Sequence, residues 1–323
     1  MKITLEGVSK AYTVHGKPKG GVAGIDLEIG HQEFITLMGP SGAGKSTILH
    51  LISGALYPDQ GRILFDGQDN TNVPPEMRPV HTVFQGLHLF PNMSVEGNIA
   101  FALEQSKTPT PQAEIHERVN RLLKQVGLEG YNKRSVTQLS GGEKQRVAIA
   151  RSLIDHPRAL LLDEPFAPLD RTLKESLIEL ILSIKREAGI TIVLTTHDWY
   201  EALRLSDRIA VVRQGGLAQV GTPQELYFKP RTLSIARITG PMNVIEQDGV
   251  TYGIRPAFVQ LAPGPMSGTV EEILFAGNMH HVRVRVNPNL LIHVETPAAP
   301  ARGEKVSLNF PREHLIRLER ENA

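Results

Sequence analysis

The chain has 323 residues, of which 41% are hydrophobic, and its 35 basic and 34 acidic side chains leave a net charge of +1. That length allows one large or two unequal domains and excludes a small peptide scaffold. The charge balance gives no basic field for nucleic acid, and the absence of cysteine excludes disulfides, thiolate metal sites and thiol catalysis. Since the sequence shows neither a signal peptide nor an apolar run of membrane-spanning length, we expect a cytoplasmic chain.

Short β-rich runs alternate with helical patterns from residue 2 to about residue 229, which predicts an α/β fold with a parallel sheet between helices. Four runs are almost continuously apolar, as in strands that are covered on both faces. We expect these runs to be the central strands: residues 34–38, 159–162, 191–195 and 208–212. Residues 112–127 carry apolar side chains at helical spacing and predict a surface helix that ends at a glycine.

A glycine-rich segment, G-P-S-G-A-G-K-S from Gly39 to Ser46, lies between the first of these strands and a helical run. It fits the phosphate loop G-x-x-x-x-G-K-[ST]. The glycines let backbone N–H groups turn towards phosphate oxygens, and the following helix adds its positive N-terminal end. Lys45 is expected to reach the β- and γ-phosphates and the Ser46 hydroxyl to bind Mg²⁺. The segment therefore predicts a site for a nucleoside triphosphate.

A second segment, L-S-G-G-E-K-Q-R over residues 139–146, precedes another helical run. A hydroxyl and two glycines at a helix N-terminus predict a second anion site. One chain then has two such sites for one triphosphate. This makes sense if the second site closes over a nucleotide that another subunit holds.

Asp163 and Glu164 follow the buried run at residues 159–162, at the carboxyl end where α/β sheets place their ligand chemistry. Asp163 is placed for the Mg²⁺ shell, and Glu164 can orient and polarise a water for in-line attack on the γ-phosphate. The pair indicates hydrolysis. A GTPase would need N-K-x-D, but the stretch N-K-R-S from Asn132 lacks the aspartate, so we discard that class.

From about residue 241 the sequence changes to short alternating segments separated by proline and glycine. Strands are expected at residues 281–286, 291–294 and 306–310. The sequence therefore predicts two domains, one over residues 1–235 and a small all-β domain over residues 241–323.

Six features stand in one order along the chain: the phosphate loop, Gln85 in V-F-Q, the L-S-G-G-E segment, the acidic strand end, Asp170, and His197 in T-T-H-D. With these motifs the sequence resembles the ATP-binding subunits of ATP-binding-cassette (ABC) transporters, over residues 1–235. The resemblance implies a phosphate-loop ATPase with a helical subdomain. It also implies a head-to-tail dimer, with ATP between the phosphate loop of one copy and the L-S-G-G-E segment of the other.

The resemblance also implies a role for each position. Tyr12 would stack on adenine, Ser140 and Gly142 would grip the γ-phosphate of the opposite copy, and His197 would hold that phosphate and the attacking water. The ATP-binding residues would be Tyr12, Gly39, Pro40, Ser41, Gly42, Ala43, Gly44, Lys45, Ser46, Thr47, Ser140, Gly141, Gly142, Glu143 and Asp170. The Mg²⁺ ligands would be Ser46, Gln85 and Asp163, and the catalytic residues Glu164, His197 and Gln85.

Residues 87–101 resemble the importers of polyamines, ferric ion, oxyanions and sugars, in which this segment lines a groove for a membrane partner. Leu89 and Phe90 fit that groove and an ordinary helical core equally well. The C-terminal segment resembles the oligonucleotide-binding-type TOBE domain of the same importers, either regulatory or dimerising. The implied partners are a second copy, integral membrane permeases and, indirectly, a solute-binding protein, but no nucleic acid. The implied location is the cytoplasmic face of the inner membrane.

Two positions depart from the family pattern. Glu143 stands where glutamine is commoner, and we expect activity to survive. Ala167 and Pro168 replace a serine and a small residue, which leaves open how this loop contacts the other subunit.

The solute stays open, because residues 78–85 are closest to the polyamine importers and residues 139–146 to the molybdate ones. A soluble ABC ATPase acting on ribosomes or DNA is the alternative, although such chains usually carry two cassettes or a long coiled-coil insertion. A non-hydrolysing scaffold is a third possibility, against which Glu164 and His197 both argue.

Overall fold

A computed structural model of the protein describes residues 1–14, 17–105, 109–167, 169–247 and 249–319. The chain divides into two compact units, Met1–Val220 and Gly221–Ala323. Within the described ranges, no helix combines the length and the apolar character needed to cross a membrane.

The first unit alternates strands and helices as the sequence predicts. Its strands are β1 (Ile3–Val14), β2 (Lys17–Ile29), β3 (Phe34–Met38), β4 (Gln60–Phe65), β5 (Gln68–Asp69), β6 (Val80–Val83), β7 (Ala159–Asp163), β8 (Thr191–Thr196), β9 (Arg208–Arg213) and β10 (Gly216–Gly221). Its α-helices are α1 (Lys45–Ser53), α2 (Val95–Glu104), α3 (Gln112–Gln125), α4 (Gly141–Leu153), α5 (Arg171–Ala188) and α6 (Trp199–Leu205).

The central sheet has the strand order β10-β9-β3-β8-β7-β6, and β9, β3, β8, β7 and β6 run parallel. The predicted central strands are β3, β7, β8 and β9, which all lie inside this sheet, so the α/β prediction is confirmed. Neighbouring residues alternate between two cores. Leu160 and Ile192 belong to a core that the central sheet forms with α2 to α5. Leu161 and Val193 belong to a second core, which the central sheet forms with α1 and with an antiparallel sheet built from β1, β2 and β4. This two-sided burial explains the continuous apolar runs.

The other sheet of the first unit is antiparallel, with the order β2-β1-β4-β5. On the helical side, α3 buries Ile115, Val119 and Leu123 and exposes the charges between them, as its spacing predicts. The chain leaves the helix after Gln125, and Gly127 follows with a positive φ of 70°. A glycine takes that left-handed conformation without a Cβ clash.

In its described residues, the second unit contains the short α-helices α7 (Pro223–Phe228) and α8 (Leu233–Ile238) and antiparallel strands. The strands are β11 (Asn243–Gln247), β12 (Val250–Ile254), β13 (Gln260–Phe275), β14 (His280–Asn287), β15 (Leu290–Thr296), β16 (Lys305–Asn309) and β17 (Ile316–Arg317). Their sheet orders are β11-β12-β17 and β15-β14-β13-β16. The strands predicted near residues 281–286, 291–294 and 306–310 are present.

Arg255 connects α7 and α8 to the rest of this unit, whereas the predicted limit at residue 235 assigns α7 to the first domain and falls inside α8. Arg255 is 1% exposed, and its guanidinium donates to the carbonyls of Tyr227 (2.9 Å) and Ala236 (2.8 Å) and to the Thr239 hydroxyl (2.7 Å). Burial lowers the pKa of Arg255 to about 10, against a smaller raising effect of Tyr227. The domain limits at residues 235 and 241 themselves stay a prediction.

Candidate active site

The phosphate loop connects β3 to α1 and turns around its own lysine. Lys45 Nζ donates to the carbonyls of Gly39 (2.9 Å) and Pro40 (3.1 Å), and the side chain is 4% exposed. A Cβ at Gly39 would lie 2.2 Å from the Val212 carbonyl, and Gly44 has a φ of +110°, so both positions require glycine. The loop therefore ends at a helix N-terminus with a buried ammonium beside it, which is an arrangement for binding phosphate.

The acidic pair lies directly across from this loop. Ser46 Oγ donates to Asp163 Oδ1 over 2.9 Å, and Thr195 Oγ1 donates to the same oxygen over 2.6 Å. Thr195 Oγ1 also accepts the Glu164 backbone N–H at 3.0 Å. Asp163 and Thr195 can meet because they are register partners on β7 and β8. The ends of two buried strands thus carry a bonded set of oxygen atoms next to the first turn of α1.

Glu164 has a left-handed backbone conformation, and its carboxylate lies near two basic side chains. Its φ is +45°, a left-handed conformation that costs a residue with a Cβ about 1–2 kcal/mol. Its Oε1 lies 3.7 Å from Lys45 Nζ and 3.9 Å from His197 Nδ1. Its side chain is 21% exposed. The carboxylate is thus held between a buried cation and a histidine, at the mouth of the phosphate loop.

Two basic groups approach the acidic pair from α1. Burial lowers the pKa of Lys45, and the carboxylates of Glu164 and Asp163 oppose that shift. His50, one turn after Ser46, places Nε2 3.8 Å from Asp163 Oδ2. The site therefore combines two acidic side chains with a lysine and a histidine from the same helix.

Tyr12 lies beside the far end of the phosphate loop. It is half-buried on β1, and its hydroxyl is 3.4 Å from Thr47 Oγ1 at the start of α1. This position leaves part of the ring exposed next to the loop.

Gln85 follows β6, next to β7 in the sheet, and begins a turn tied to α4. The backbone is left-handed at Leu87 (φ +56°) and His88 (φ +44°). Arg151 of α4 donates to the carbonyls of these two residues at 2.8 and 2.7 Å. The segment after Gln85 is thereby linked to the helix that begins with the S-G-G residues.

Leu89 and Phe90 continue this segment and differ in burial. Leu89 is partly buried against the helical core, whereas Phe90 is 37% exposed and its ring lies 4.5 Å from that of Phe101. Asn98 of α2 fixes the Phe90 backbone, accepting its N–H at 2.7 Å and donating to its carbonyl at 3.0 Å.

The S-G-G segment forms the capped start of α4. Ser140 Oγ accepts the Glu143 N–H at 3.3 Å, and Glu143 Oε2 accepts the Ser140 N–H at 2.7 Å, which is a capping box. The Ser140 backbone N–H is the main cause that holds the pKa of Glu143 below its ordinary value. Ser140 and Gly141 are exposed, and nothing lies within 4 Å of a Cβ built at Gly141.

Asp170 has the same kind of capping role on α5. Its Oδ1 accepts the Leu173 N–H at 3.0 Å. A Cβ at Gly142 would lie 3.2 Å from Leu173 Cδ2, so the S-G-G segment and the start of α5 are neighbours. Ala167 donates its backbone N–H to the Glu164 carbonyl (3.3 Å), whereas Pro168 lies outside the described residues.

Two residues at the acidic pair, Thr195 and His50, are not among those that the sequence predicts. Thr195 bonds both to Asp163 and to the Glu164 backbone. A signal was present, because a polar residue at the end of a buried strand sits at the edge where ligands bind. His50 could be found only from helical periodicity, four residues after Ser46.

Comparisons with known proteins agree with this geometry. Residues 22–167 match the family described as ABC transporter, and residues 252–318 match the family described as TOBE domain. The chain is 38% identical to the spermidine/putrescine import ATP-binding protein PotA of Mesoplasma florum, over 90% of this chain and 91% of that protein. It is 48% identical to PotA of Nitrosomonas eutropha, over 70% of this chain but only 61% of that protein.

Solved structures give the same result for the first unit. The ATP-binding cassette MJ0796, a dimer bound to ADP and Pi, is similar with a TM-score of 0.62 and 30% identity, over 68% of this chain and 98% of that one. CbiO1 of Clostridium perfringens, part of an ABC transporter complex, has a TM-score of 0.63 and 32% identity, over 70% of this chain and 90% of that one.

The chain therefore belongs to the ATP-binding subunits of ABC transporters. It is the ATPase subunit of an importer, with an ATP-binding cassette followed by a TOBE domain. The resemblance seen in the sequence is thus confirmed, and ATP is the nucleotide of the cassette.

Proposed function

We propose that this subunit hydrolyses ATP between two head-to-tail copies and thereby drives uptake of a polyamine through membrane permeases. The observation that carries the proposal is the bonded set of Ser46, Asp163, Thr195 and Glu164 beside the phosphate loop. These residues combine a phosphate-binding loop with the carboxylate of Glu164, which lies next to the place that an attacking water would occupy. Glu164 and Asp163 therefore take different roles.

Glu164 is the residue we assign to the attacking water. Its carboxylate can accept a proton from that water and orient it in line with the γ-phosphate, which is the work that phosphoryl transfer requires of a protein. His197, 3.9 Å away and 59% exposed, can donate to the γ-phosphate and keep the water in place. Lys45 neutralises charge on the phosphates from the buried side of the loop.

The oxygen donors suit Mg²⁺. The Ser46 hydroxyl and the Asp163 carboxylate lie within 2.9 Å of each other, and a hydroxyl and a carboxylate are hard oxygen ligands of the kind Mg²⁺ takes. Gln85 would supply a third oxygen from the segment after β6. When bound, Mg²⁺ would neutralise negative charge that develops on the phosphate oxygens.

The exposed helix start at Ser140 and Gly141 supports the dimer. Its capping box satisfies the helix, and the space in front of Gly141 is open to a phosphate that another copy brings. A solved relative of the cassette is itself described as dimeric. Asp170 and Gly142, neighbours through Leu173, would then lie at the contact between the copies.

The permeases would dock on the segment after Gln85, where Phe90 is partly exposed and the backbone is tied to α4 by Arg151. In this proposal the subunit acts on the cytoplasmic face of the inner membrane, with a solute-binding protein on the other side. Spermidine or putrescine is the proposed solute, because the relatives named above are spermidine/putrescine import ATP-binding proteins.

The partner assignment is tested by affinity capture. Tagged Glu164→Gln protein, loaded with ATP, is incubated with detergent-solubilised membranes, and the retained proteins are identified by mass spectrometry. Integral membrane permeases are expected, and Lys45→Ala, which cannot hold the nucleotide, serves as the matched control. Recovery of ribosomal proteins or DNA instead would contradict the importer and favour a soluble ABC ATPase.

The solute is tested separately by uptake. Cells that lack this subunit should lose uptake of labelled spermidine or putrescine and regain it when the wild-type gene is restored. Glu164→Gln should not restore it. Loss of ferric ion, molybdate or sugar uptake with normal polyamine uptake would contradict the assigned solute and leave the ATPase assignment unchanged.

A further inference from the structure

A polar cluster of Lys174, Asp198 and Glu201 lies next to His197 and has no part in the roles assigned so far; only Glu201 is buried, whereas the side chains of Lys174 and Asp198 are 28% and 32% exposed. Lys174 of α5 contacts two carboxylates of the next loop and helix, Glu201 Oε1 at 2.6 Å and Asp198 Oδ2 at 3.1 Å. Glu201 is 5% exposed, a degree of burial that a carboxylate tolerates only when it is paired and hydrogen-bonded. The cluster is thus a built feature rather than a surface ion pair.

The cluster binds the residues directly before and after His197, which are Thr196 and Asp198. On one side, Thr196 donates its hydroxyl to Glu201 Oε2 and accepts the Asp198 N–H at 3.0 Å. On the other side, Asp198 accepts the Tyr200 N–H at 2.8 Å and so caps α6. Both neighbours of His197 are therefore fixed by hydrogen bonds that lead to Lys174.

Lys174 also faces the reaction site itself. A cavity of about 130 Å³ is lined by Glu164, His197, Lys174 and Glu201, among others. Burial alone would lower the pKa of Lys174, but its hydrogen bonds to Glu201 and Asp198 outweigh burial and raise the pKa above its ordinary value. The ammonium therefore stays charged and bound to both carboxylates at physiological pH.

At its other end, the cluster reaches the start of α5. Asp170 accepts the Leu173 N–H at 3.0 Å, and the Lys174 N–H donates to the Asp170 carbonyl at 2.9 Å. The residue that would meet a second copy and the lysine that holds the His197 turn thus lie within one helical turn. Asp170 is thus linked to the two neighbours of His197 through the side chains of Lys174, Asp198 and Glu201.

We infer that Lys174 and Glu201 are positioning residues that hold the His197 turn against Glu164 and couple it to the start of α5. The inference rests on the proposed function, since it assumes that His197 and Glu164 act on the γ-phosphate. His197 is 59% exposed, so its own packing does little to fix it. The cluster supplies the fixed geometry that an in-line attack needs.

The test is steady-state ATP hydrolysis by purified Lys174→Met, normalised to the number of sites that bind a fluorescent ATP analogue. We expect kcat to fall about tenfold with KM for ATP within about twofold of wild type, because misplacement of a catalytic group slows the chemical step without weakening binding. Lys174→Arg should keep at least about half of kcat, since it restores the charge and both contacts.

Lys185→Met is the matched control. Lys185 lies on the same helix with similar exposure and also bridges to a loop aspartate, Asp207 at 2.6 Å, but away from His197. It should change kcat by less than about twofold. A merely structural role of Lys174 predicts equal effects of the two substitutions, seen in the melting temperature and not in kcat per site.

Two further variants, Glu201→Gln and Glu164→Gln, separate a failure of this inference from a failure of the proposed function. If Lys174→Met does not fold, Glu201→Gln, which keeps the side-chain shape, should show the same loss of kcat. Normal turnover by Glu164→Gln would overturn the proposed function and this inference with it. Loss of turnover in Glu164→Gln, together with wild-type kcat per site in Lys174→Met or in Glu201→Gln, would overturn the inference alone.

Discussion

Two short motifs of this chain both predict phosphate binding, yet the structure treats them differently. At the phosphate loop, side chains from α1, β7 and the end of β8 meet: Ser46 and Thr195 bond to Asp163, and Lys45 approaches Glu164. At the start of α4, the S-G-G segment has its capping box and an open, exposed face. This difference fits the proposed function, in which the first motif assembles chemistry within one chain and the second offers a helix end to a nucleotide bound by another copy.

The largest effect should come from the same isosteric change made in each region. Glu164→Gln removes the carboxylate that can accept the proton of water, so kcat should fall about 1,000-fold while ATP binding is retained. Glu143→Gln keeps a capping box, because glutamine serves as well as glutamate at that position, and kcat should stay within about twofold. Phosphate release and equilibrium ATP binding measure both. Near-normal turnover by Glu164→Gln would refute its assignment, and similar losses in both variants would erase the contrast between the regions.

The second prediction concerns copies that are damaged in different regions. Lys45→Ala removes the buried ammonium of the phosphate loop, and Ser140→Ala removes the hydroxyl of the S-G-G segment; each should be nearly inactive alone. In a head-to-tail dimer, a mixed pair has one site with both defects and one with none. An equal mixture should therefore recover about a quarter of wild-type ATP hydrolysis.

Mixing Glu164→Gln with Lys45→Ala is the control for this experiment. Both substitutions then lie in the phosphate-loop half of a site, so every mixed pair has a defect in each site and no recovery is expected. A mixture of Lys45→Ala and Ser140→Ala that stays inactive would show that the two motifs do not share a site across copies.

The sequence predicts most of the sheet because its strands are buried on two faces. Continuous apolar runs such as residues 159–162 have no other stable place in an α/β fold, and the residues after them must lie at the carboxyl edge. The position of Asp163 and Glu164 beside the phosphate loop can therefore be predicted from the sequence. Thr195 lies at the same edge, but a threonine in a β-rich run has no local signal that distinguishes it from any other strand residue.

Other features depend on contacts between distant segments, which a single sequence does not encode locally. The pairing of Lys174 with Glu201 joins α5 to α6 across the end of β8. Arg255 draws residues 223–240 towards the β strands that follow them, although the local pattern of α7 and α8 resembles the helices of the first unit. Such long-range hydrogen bonds decide where a unit ends, and propensity alone does not.

A third prediction sharpens the comparison at Thr195. Thr195→Val keeps the shape but leaves the Glu164 N–H without its acceptor and removes one of the two donors to Asp163 Oδ1, so kcat should fall about tenfold and stability by about 1–2 kcal/mol. Thr36→Val is the matched control, because Thr36 is equally buried on the neighbouring β3 and its hydroxyl lies 2.6 Å from that of Ser206, away from the acidic pair. It should lower stability without changing kcat per site. Equal kcat in the two variants would show that Thr195 only supports the sheet.

The smallest expected effect is a pH dependence of stability at His81, which connects the strand that leads to the phosphate-loop site with the helix that begins at the S-G-G segment. Its Nδ1 is 3.0 Å from the Ser152 carbonyl and its Nε2 is 3.2 Å from Asp155 Oδ2, so β6, which leads to Gln85, is tied to the end of α4. Burial alone would lower the pKa of His81, but the hydrogen bond and charge of Asp155, helped by the Ser152 carbonyl, raise it above its ordinary value of 6.5.

The sign of the pH effect follows from that raised pKa. The folded state binds the proton more tightly than the unfolded state, so the stabilisation is complete below pH 6.5 and is lost as the pH rises through the raised pKa. We expect the wild type to lose about 1 kcal/mol of stability across that interval from this pair. His81→Gln should remove this part of the pH dependence, and so should Asp155→Asn, in thermal unfolding followed between pH 6 and pH 9. A wild-type melting temperature that rises over this interval relative to both variants would show that His81 is not held as the cation, and that β6 and α4 are joined by neutral hydrogen bonds alone.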